Sequence, residues 1–172
     1  GNLGPTQTVT ALARSLPTSD NPPFKVSFVG GVDPRVLFEG VTVEPTVRHD
    51  VAVERMRSAG ILLLVVPRSP GVEAHVAGKI YEYLAAGRPV LGIGPPDGDA
   101  ADLLREYGAG EMFHWDDAEG VFTWLTRYAD DVASGFVPTG ARIENVQRFS
   151  RPHQAAHLAS LFDRVVSERS RG

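Results

Sequence analysis

The 172-residue chain contains no cysteine, and this absence excludes disulfide bonds, thiolate metal ligands and cysteine nucleophiles. Long apolar runs are also lacking. The longest one, residues 60–67, has the length of a strand, so the sequence predicts no transmembrane helix. The G-x-S-x-G, Walker and G-x-G-x-x-G motifs are missing, and Ser69 has no evident histidine and aspartate partners. Hydrolase chemistry therefore has no support in the sequence.

Basic residues are few and scattered, which bears on the partners that the chain can have. There are 2 lysines against 15 arginines, without any basic run, and the formal net charge is −4. A mildly acidic chain without a basic cluster binds nucleic acid poorly, so no nucleic-acid partner is expected. The apolar fraction of 42% and the charged fraction of 22% are ordinary, and the length suits a single domain over residues 1–172.

Short β-rich runs alternate with helical patterns along the chain, which predicts an α/β fold with a doubly wound, mostly parallel sheet. The continuous apolar run Ile61–Val66 is typical of a central strand that is buried on both faces. Strands are predicted at residues 24–29, 36–43, 61–66, 89–93 and 111–114, and helices at residues 5–16, 49–59, 79–86, 99–107, 118–133 and 149–168.

The connection between the first two predicted strands is too short for a crossover helix. Few residues separate Val29 from Val36, whereas parallel strands need a crossover of about 10–12 residues. Either the two strands are antiparallel, or a loop near residues 31–35 is missing from the sequence as given. We expect the missing loop, because the predicted fold has a helix at this point.

The most informative stretch is Gly78–Gly94, in which a short helix, a glycine turn and a buried strand follow one another. Parallel sheets bind ligands at the carboxyl ends of their strands, where the amide groups and dipole of a helix N-terminus favour an anion such as a diphosphate. Lys79 adds a positive charge there, and the Glu82 carboxylate is able to accept two hydrogen bonds from a ribose diol. The alternative is a surface ion pair between Lys79 and Glu82.

With these residues the chain resembles the donor-binding domain of family 4 (group 1) glycosyltransferases, which have the GT-B fold. The specific part of the resemblance is the K-x-x-E-Y-L-A-A-G-R-P-V block at Lys79–Val90. Weaker matches are the opening G-N-L-G, the F-V-G-G at residues 28–31, the G-I-L-L-L-V-V-P at residues 60–67 and the Gly-Ala-Gly at residues 108–110.

The resemblance implies a Rossmann-like half of a two-domain enzyme whose N-terminal acceptor domain is absent. The whole enzyme would transfer a sugar, with retention, from a nucleoside-diphosphate sugar to a hydroxyl acceptor, without a metal or other cofactor. No catalytic residue is assigned, because the acceptor site and any base would lie in the missing half, and the fragment alone would be inactive. We expect a bacterial, cytoplasmic protein. The missing half could contact the inner face of the membrane.

The resemblance also assigns donor-site residues. Glu82 would bind the ribose, and Lys79 would neutralise the diphosphate. The opening loop would approach the phosphate or sugar with Gly1, Asn2 and Gly4. The loop before the helix would hold the sugar through the backbone of His75, Val76, Ala77 and Gly78. The base would be bordered by Val43, Glu44 and Pro45. One departure leaves the sugar open, since position 74 is alanine where many members carry the first of two glutamates eight positions apart.

Several other interpretations remain open. Residues 1–4 are equally typical of a loop that leads into a helix, and Tyr81, Leu84 and Ala85 are expected in the core. The chain is also compatible with a non-catalytic nucleotide or small-molecule binding module, or with half of a nucleotide-sugar epimerase.

No metal site is predicted. His153 and His157 lack a third ligand. Asp97-Gly98-Asp99 resembles a metal-binding D-x-D string but precedes a helix, so Asp99 is interpreted as an N-cap.

Overall fold

The computed structural model describes residues 3–16 and 24–169, which form an α/β fold. Its strands are β1 (Val26–Val29), β2 (Val41–Glu44), β3 (Leu62–Val65), β4 (Val90–Ile93) and β5 (Gly110–Phe113). Its helices are α1 (Thr10–Ser15), α2 (His49–Ser58), α3 (Lys79–Ala86), α4 (Asp99–Glu106), α5 (Ala118–Ala133), α6 (Ile143–Val146) and α7 (Arg151–Arg169). Every strand pair is parallel, as the alternation of strand and helix predicted.

The strands form two sheets, one with the order β1-β2 and one with the order β3-β4-β5. The prediction that Ile61–Val66 is a central strand is therefore wrong for the described residues, because β3 lies at the edge of its sheet. The strand between two neighbours is β4, and all four of its residues are buried. An apolar run indicates that both faces of a strand are buried, but it does not indicate which strands lie beside it in the sheet.

The link between β1 and β2 corrects a second expectation. The two strands are parallel, with Val26 opposite Val41, so no additional loop is needed. The second strand begins at Val41 and not at Val36, which leaves residues 30–40 as the connection. A single 3-10 turn, Pro34–Val36, crosses this distance, and the Asp33 carboxylate accepts a hydrogen bond of 2.9 Å from the Arg35 amide at its start.

The main hydrophobic core is centred on β4 and the helices that cover it. Ile80 and Leu84 of α3 are fully buried, and each contributes about 1.5–3 kcal/mol through burial. Their neighbours Tyr81 and Ala85 are exposed, so the prediction that these two residues belong to the core is wrong. Helical geometry turns them away from the sheet, and the Tyr81 ring packs instead against Phe149, with 4.8 Å between the ring centroids.

Helix boundaries agree with the sequence patterns to within one residue except at two starts, and the short helix α6 was not predicted. The first helix begins at Thr10, because Pro5 lies in a turn, and the last begins at Arg151, after a separate 3-10 turn at Gln147–Phe149. Asp99 is the first residue of α4, with Gly98 at the N-cap, so the interpretation of Asp99 as a cap is wrong. In the described part of the chain, no helix has the length and apolar character that crossing a membrane requires.

Candidate functional site

Helix α3 carries the central residues of the candidate site. It connects the parallel strands β3 and β4, so it must run back along the sheet, and its first turn lies at the carboxyl ends of the strands. Gly87 ends the helix in the left-handed conformation, with φ of 67°. The first turn of α3 therefore lies at the edge where parallel sheets bind their ligands.

Lys79 and Glu82 lie in this first turn, and the Glu82 side chain is exposed. Neither residue forms an ion pair with a described residue. The alternative, a surface ion pair between Lys79 and Glu82, is therefore not present in the structure. Ile80 and Leu84 fix the rotation of the helix because they face the core, and this rotation leaves Glu82 on the opposite side. The Glu82 carboxylate is thus accessible to a ligand.

The start of α3 also has free backbone donors. No side chain of the described part of the chain caps the helix. The amides of Ile80 and Tyr81 donate to the carbonyl groups of Ala77 and Gly78, at 2.9 and 3.3 Å. Within the described ranges the amides of Gly78 and Lys79 have no acceptor, and donors of this kind suit an anion.

Tyr83 lies beside this turn and is half-buried. Burial, and after it the negative charge of neighbouring Glu82, raise the pKa of Tyr83 to about 12. The phenol is therefore neutral at ordinary pH.

The loop that precedes α3 contains His75, Val76, Ala77 and Gly78. His75 and Gly78 are exposed, whereas Val76 and Ala77 are half-buried and pack against the main core. The His75 amide donates to the Val72 carbonyl at 2.9 Å, which closes the 3-10 turn Val72–Ala74. The imidazole of His75 and the Gly78 backbone are accordingly the accessible parts of this loop.

The opening loop reaches the same edge of the sheets, where Gln7 and Thr6 join it to the end of β3. The Gln7 side chain accepts from the Gly4 amide at 2.8 Å and donates to the Val65 carbonyl at 3.2 Å. The Arg68 amide donates to the Thr6 carbonyl at 2.8 Å. The Gly4 amide is thus already occupied by Gln7. Gly1 and Asn2 lie outside the described residues.

The residues predicted to border the base lie at the end of β2. Val43 is exposed over 46% of its surface, and Pro45 is exposed as well. The Glu44 carboxylate forms an ion pair with Arg55 of α2, and its backbone carbonyl accepts from the Gly30 amide at 3.0 Å. Val43 and Pro45 offer an apolar surface to a flat ligand, while the Glu44 side chain is held by α2.

A group that the sequence reasoning missed joins the ends of β3 and β5. The Arg68 guanidinium pairs with Asp116 and lies over the Trp115 ring, 5.2 Å from its centroid. The indole Nε1 of Trp115 donates to the Val66 carbonyl at 2.9 Å. Arg68 is a second cation at the carboxyl edge, in addition to Lys79. Its position two residues after the apolar run that ends at Val66 is the signal that could have identified it.

Asp117, next to this group, caps α5 by accepting from the Gly120 amide at 2.8 Å. Among the described residues, no group of three or more histidine, aspartate or glutamate side chains is arranged to hold a metal ion.

Comparisons of the chain with protein-family models, with curated proteins and with solved structures found no match.

Proposed function

We propose that this chain is the donor-binding domain of a glycosyltransferase with the GT-B fold, and that it holds a nucleoside-diphosphate sugar at the carboxyl edge of its parallel strands. The observation that carries the proposal is the first turn of α3. It combines the Lys79 ammonium group with amides that are unbonded and an exposed Glu82 carboxylate that is unpaired, as far as the described residues are concerned. Donors and a cation beside an acceptor match a ligand that has both a diphosphate and a diol.

The diphosphate would lie against the start of α3. The helix dipole stabilises a negative charge there by about 0.3–1 kcal/mol at an exposed position, and Lys79 adds a full positive charge. During sugar transfer the bond between the sugar and the diphosphate breaks, and negative charge grows on the leaving group. Groups that are already oriented towards this charge stabilise the transition state, which is the contribution that this domain would make to catalysis.

The ribose would lie beside Glu82. A carboxylate has two oxygens that accept, so it is able to bind both hydroxyl groups of a ribose, and hydrogen bonds to charged groups contribute about 1.5–3 kcal/mol each. The exposed apolar residues Val43 and Pro45 would border the base, and His75 and Gly78 would approach the sugar.

The finer parts of the proposal are supported by the resemblance of the Lys79–Val90 block to family 4 glycosyltransferases. They comprise the doubly wound arrangement, transfer with retention to a hydroxyl acceptor, independence from metals, an N-terminal acceptor domain in the same enzyme and a cytoplasmic, bacterial location.

Calorimetric titration with UDP, GDP, ADP and dTDP tests the ribose assignment. Glu82→Ala should weaken binding of the preferred nucleotide at least about tenfold, which corresponds to about 1.4 kcal/mol. The matched control is Glu144→Ala. Glu144 is also an exposed first-turn glutamate, but it lies in α6. The Gly140 amide, in the segment before α6, donates to the Gly87 carbonyl at the carboxyl end of α3, so α6 follows a segment that lies at the end of α3 opposite to Glu82. Equal affinities for the unaltered chain and the Glu82 variant would refute the assignment.

A further inference from the structure

Strand β5 has an outer edge on which no strand of the described chain lies. The Val90 amide donates to the Ala109 carbonyl, and the Gly94 amide donates to the Phe113 carbonyl, both at 2.8 Å. Alternate residues of a parallel strand bond to opposite sides, so the backbone groups of Met112 are directed away from β4. Met112 is only 6% exposed, and buried backbone groups are normally paired. This edge is therefore suited to a further extended segment.

A groove of about 430 Å³ lies beside this edge, between β5 and the first half of α5. Glu111 and Phe113 border it from the strand, because alternate residues of a strand share one face of the sheet. Trp124 and Arg127 border it from α5, and the surfaces of Phe113 and Trp124 make part of the groove aromatic. A segment that pairs with β5 would direct every second side chain into this groove.

The groove has three carboxylates against one cation. Glu111 lies on β5, Asp117 and Glu119 lie at the start of α5, and Arg127 lies further along that helix. Glu111 and Glu119 are exposed and form no ion pair within residues 3–16 and 24–169. The excess of negative charge favours a cationic side chain, and the aromatic surface favours the long apolar stem of an arginine or lysine.

The same charges decide against a second copy of this chain as the occupant. Two β5 edges paired across a two-fold axis would bring two acidic grooves together, and like charges that lie opposite each other destabilise a sheet. The side chain next to each groove-facing position would lie on the other face of the sheet, where Met112 is buried, so an apolar residue suits that place. The edge therefore fits a segment in which basic and apolar residues alternate.

We propose that the outer edge of β5 binds an extended segment of a partner protein with alternating basic and apolar residues, such as Arg-Val-Arg. The backbone of this segment would bond to the Met112 amide and carbonyl and extend the three-stranded sheet by one strand. Its basic side chains would lie between Glu111 and the carboxylates at the start of α5. None of the groove residues belongs to the proposed donor site, so this inference does not depend on the proposed function.

Amide hydrogen exchange and calorimetry with a synthetic peptide test this surface. The probe has about seven residues, a typical strand length, with alternating arginine and valine and blocked termini. One control peptide has glutamate in place of arginine. A second control peptide is N-methylated at every inner residue, which removes the backbone donors and keeps the side chains. The protein variant is Glu111→Gln, and its matched control is Glu54→Gln, which changes the net charge equally at an exposed position of α2.

The arginine–valine peptide should slow exchange of the Met112 amide at least about tenfold at saturation, with one peptide bound per monomer. The Leu91 amide of β4 faces β3 and should be unchanged. Neither control peptide should protect Met112. Glu111→Gln should weaken binding of the peptide about two- to fivefold, and less at high salt, whereas Glu54→Gln should leave the affinity unchanged.

Unaltered exchange at Met112 would overturn the proposal, whether the peptide binds elsewhere or not at all. Equal losses of affinity in Glu111→Gln and Glu54→Gln, or equal protection by the N-methylated peptide, would reduce the binding to an attraction between net charges and overturn it as well. Protection of Met112 in the unaltered chain that rises with protein concentration would assign the edge to a second copy, which also contradicts the proposal.

Discussion

The backbone of Gly98 lies directly against that of Glu73, so that a Cβ added at Gly98 would stand 2.7 Å from the Glu73 carbonyl oxygen and 3.2 Å from its Cα. Gly98 precedes α4, and Glu73 belongs to the 3-10 turn before the predicted sugar-binding loop. The start of α4 therefore supports the loop that leads into α3, and only glycine permits this approach.

Gly98→Ala should lower the free energy of unfolding by about 1–3 kcal/mol, because the added carbon meets backbone that is unable to yield easily. It should also weaken nucleotide binding, since the loop must shift. Gly78→Ala is the matched control. Gly78 has open space at its Cβ position and a negative φ of −53°, so its stability should change by less than about 0.5 kcal/mol. Urea unfolding measures both, and equal stability of the two variants would contradict the support assigned to Gly98.

Lys79→Ala should weaken binding of a nucleoside diphosphate about three- to tenfold at low salt, and less at high salt, because the lost interaction is electrostatic. The loss should be smaller for the corresponding monophosphate. The only other lysine, Lys25, precedes β1 and is exposed at the opposite end of the strands, so Lys25→Ala is the control. Calorimetry at two salt concentrations measures the effect. An identical loss in both lysine variants would show that only the net charge matters.

Local sequence patterns predicted those helices and strands whose bounds are determined by residues within the segment itself. The bounds of α5 and of α3 agree with the periodicity and with the glycine that follows α3, because an apolar stripe and a stop signal both lie within the segment. The position of Lys79 and Glu82 in the first turn of α3 was predicted for the same reason, since their spacing is local, whereas their role in a donor site stays a prediction. Their accessibility followed from Ile80 and Leu84, which fix the rotation of the helix.

Contacts between distant segments were not predictable from one sequence. Residues 5–9 carry a helical pattern, but the Gln7 side chain bonds to Gly4 and to Val65, and these contacts hold the segment outside α1. The pairing of Arg68 with Asp116 joins the ends of two strands that are far apart in the chain. The edge position of β3 among the described strands was missed because burial on both faces does not reveal how many strands lie beside it.

Tyr83 should make the stability of the fold depend on pH in the alkaline range. Its pKa is raised from 10.0 to about 12, so the folded state favours the neutral phenol. The resulting stabilisation is complete below pH 10 and is lost as the pH rises from about 10 to about 12. Tyr83→Phe should remove this loss, which amounts to at most about 2 kcal/mol.

Urea unfolding between pH 9 and pH 11.5 measures the difference in slope between the two proteins, and ultraviolet titration of the phenols measures the pKa directly. Glu82→Gln separates the two causes, because it removes the neighbouring charge and leaves the burial. We expect it to lower the pKa of Tyr83 by less than the full shift, since burial is the larger cause. A Tyr83→Phe variant with the same alkaline slope as the unaltered chain would show that the Tyr83 phenol titrates alike in the folded and unfolded states.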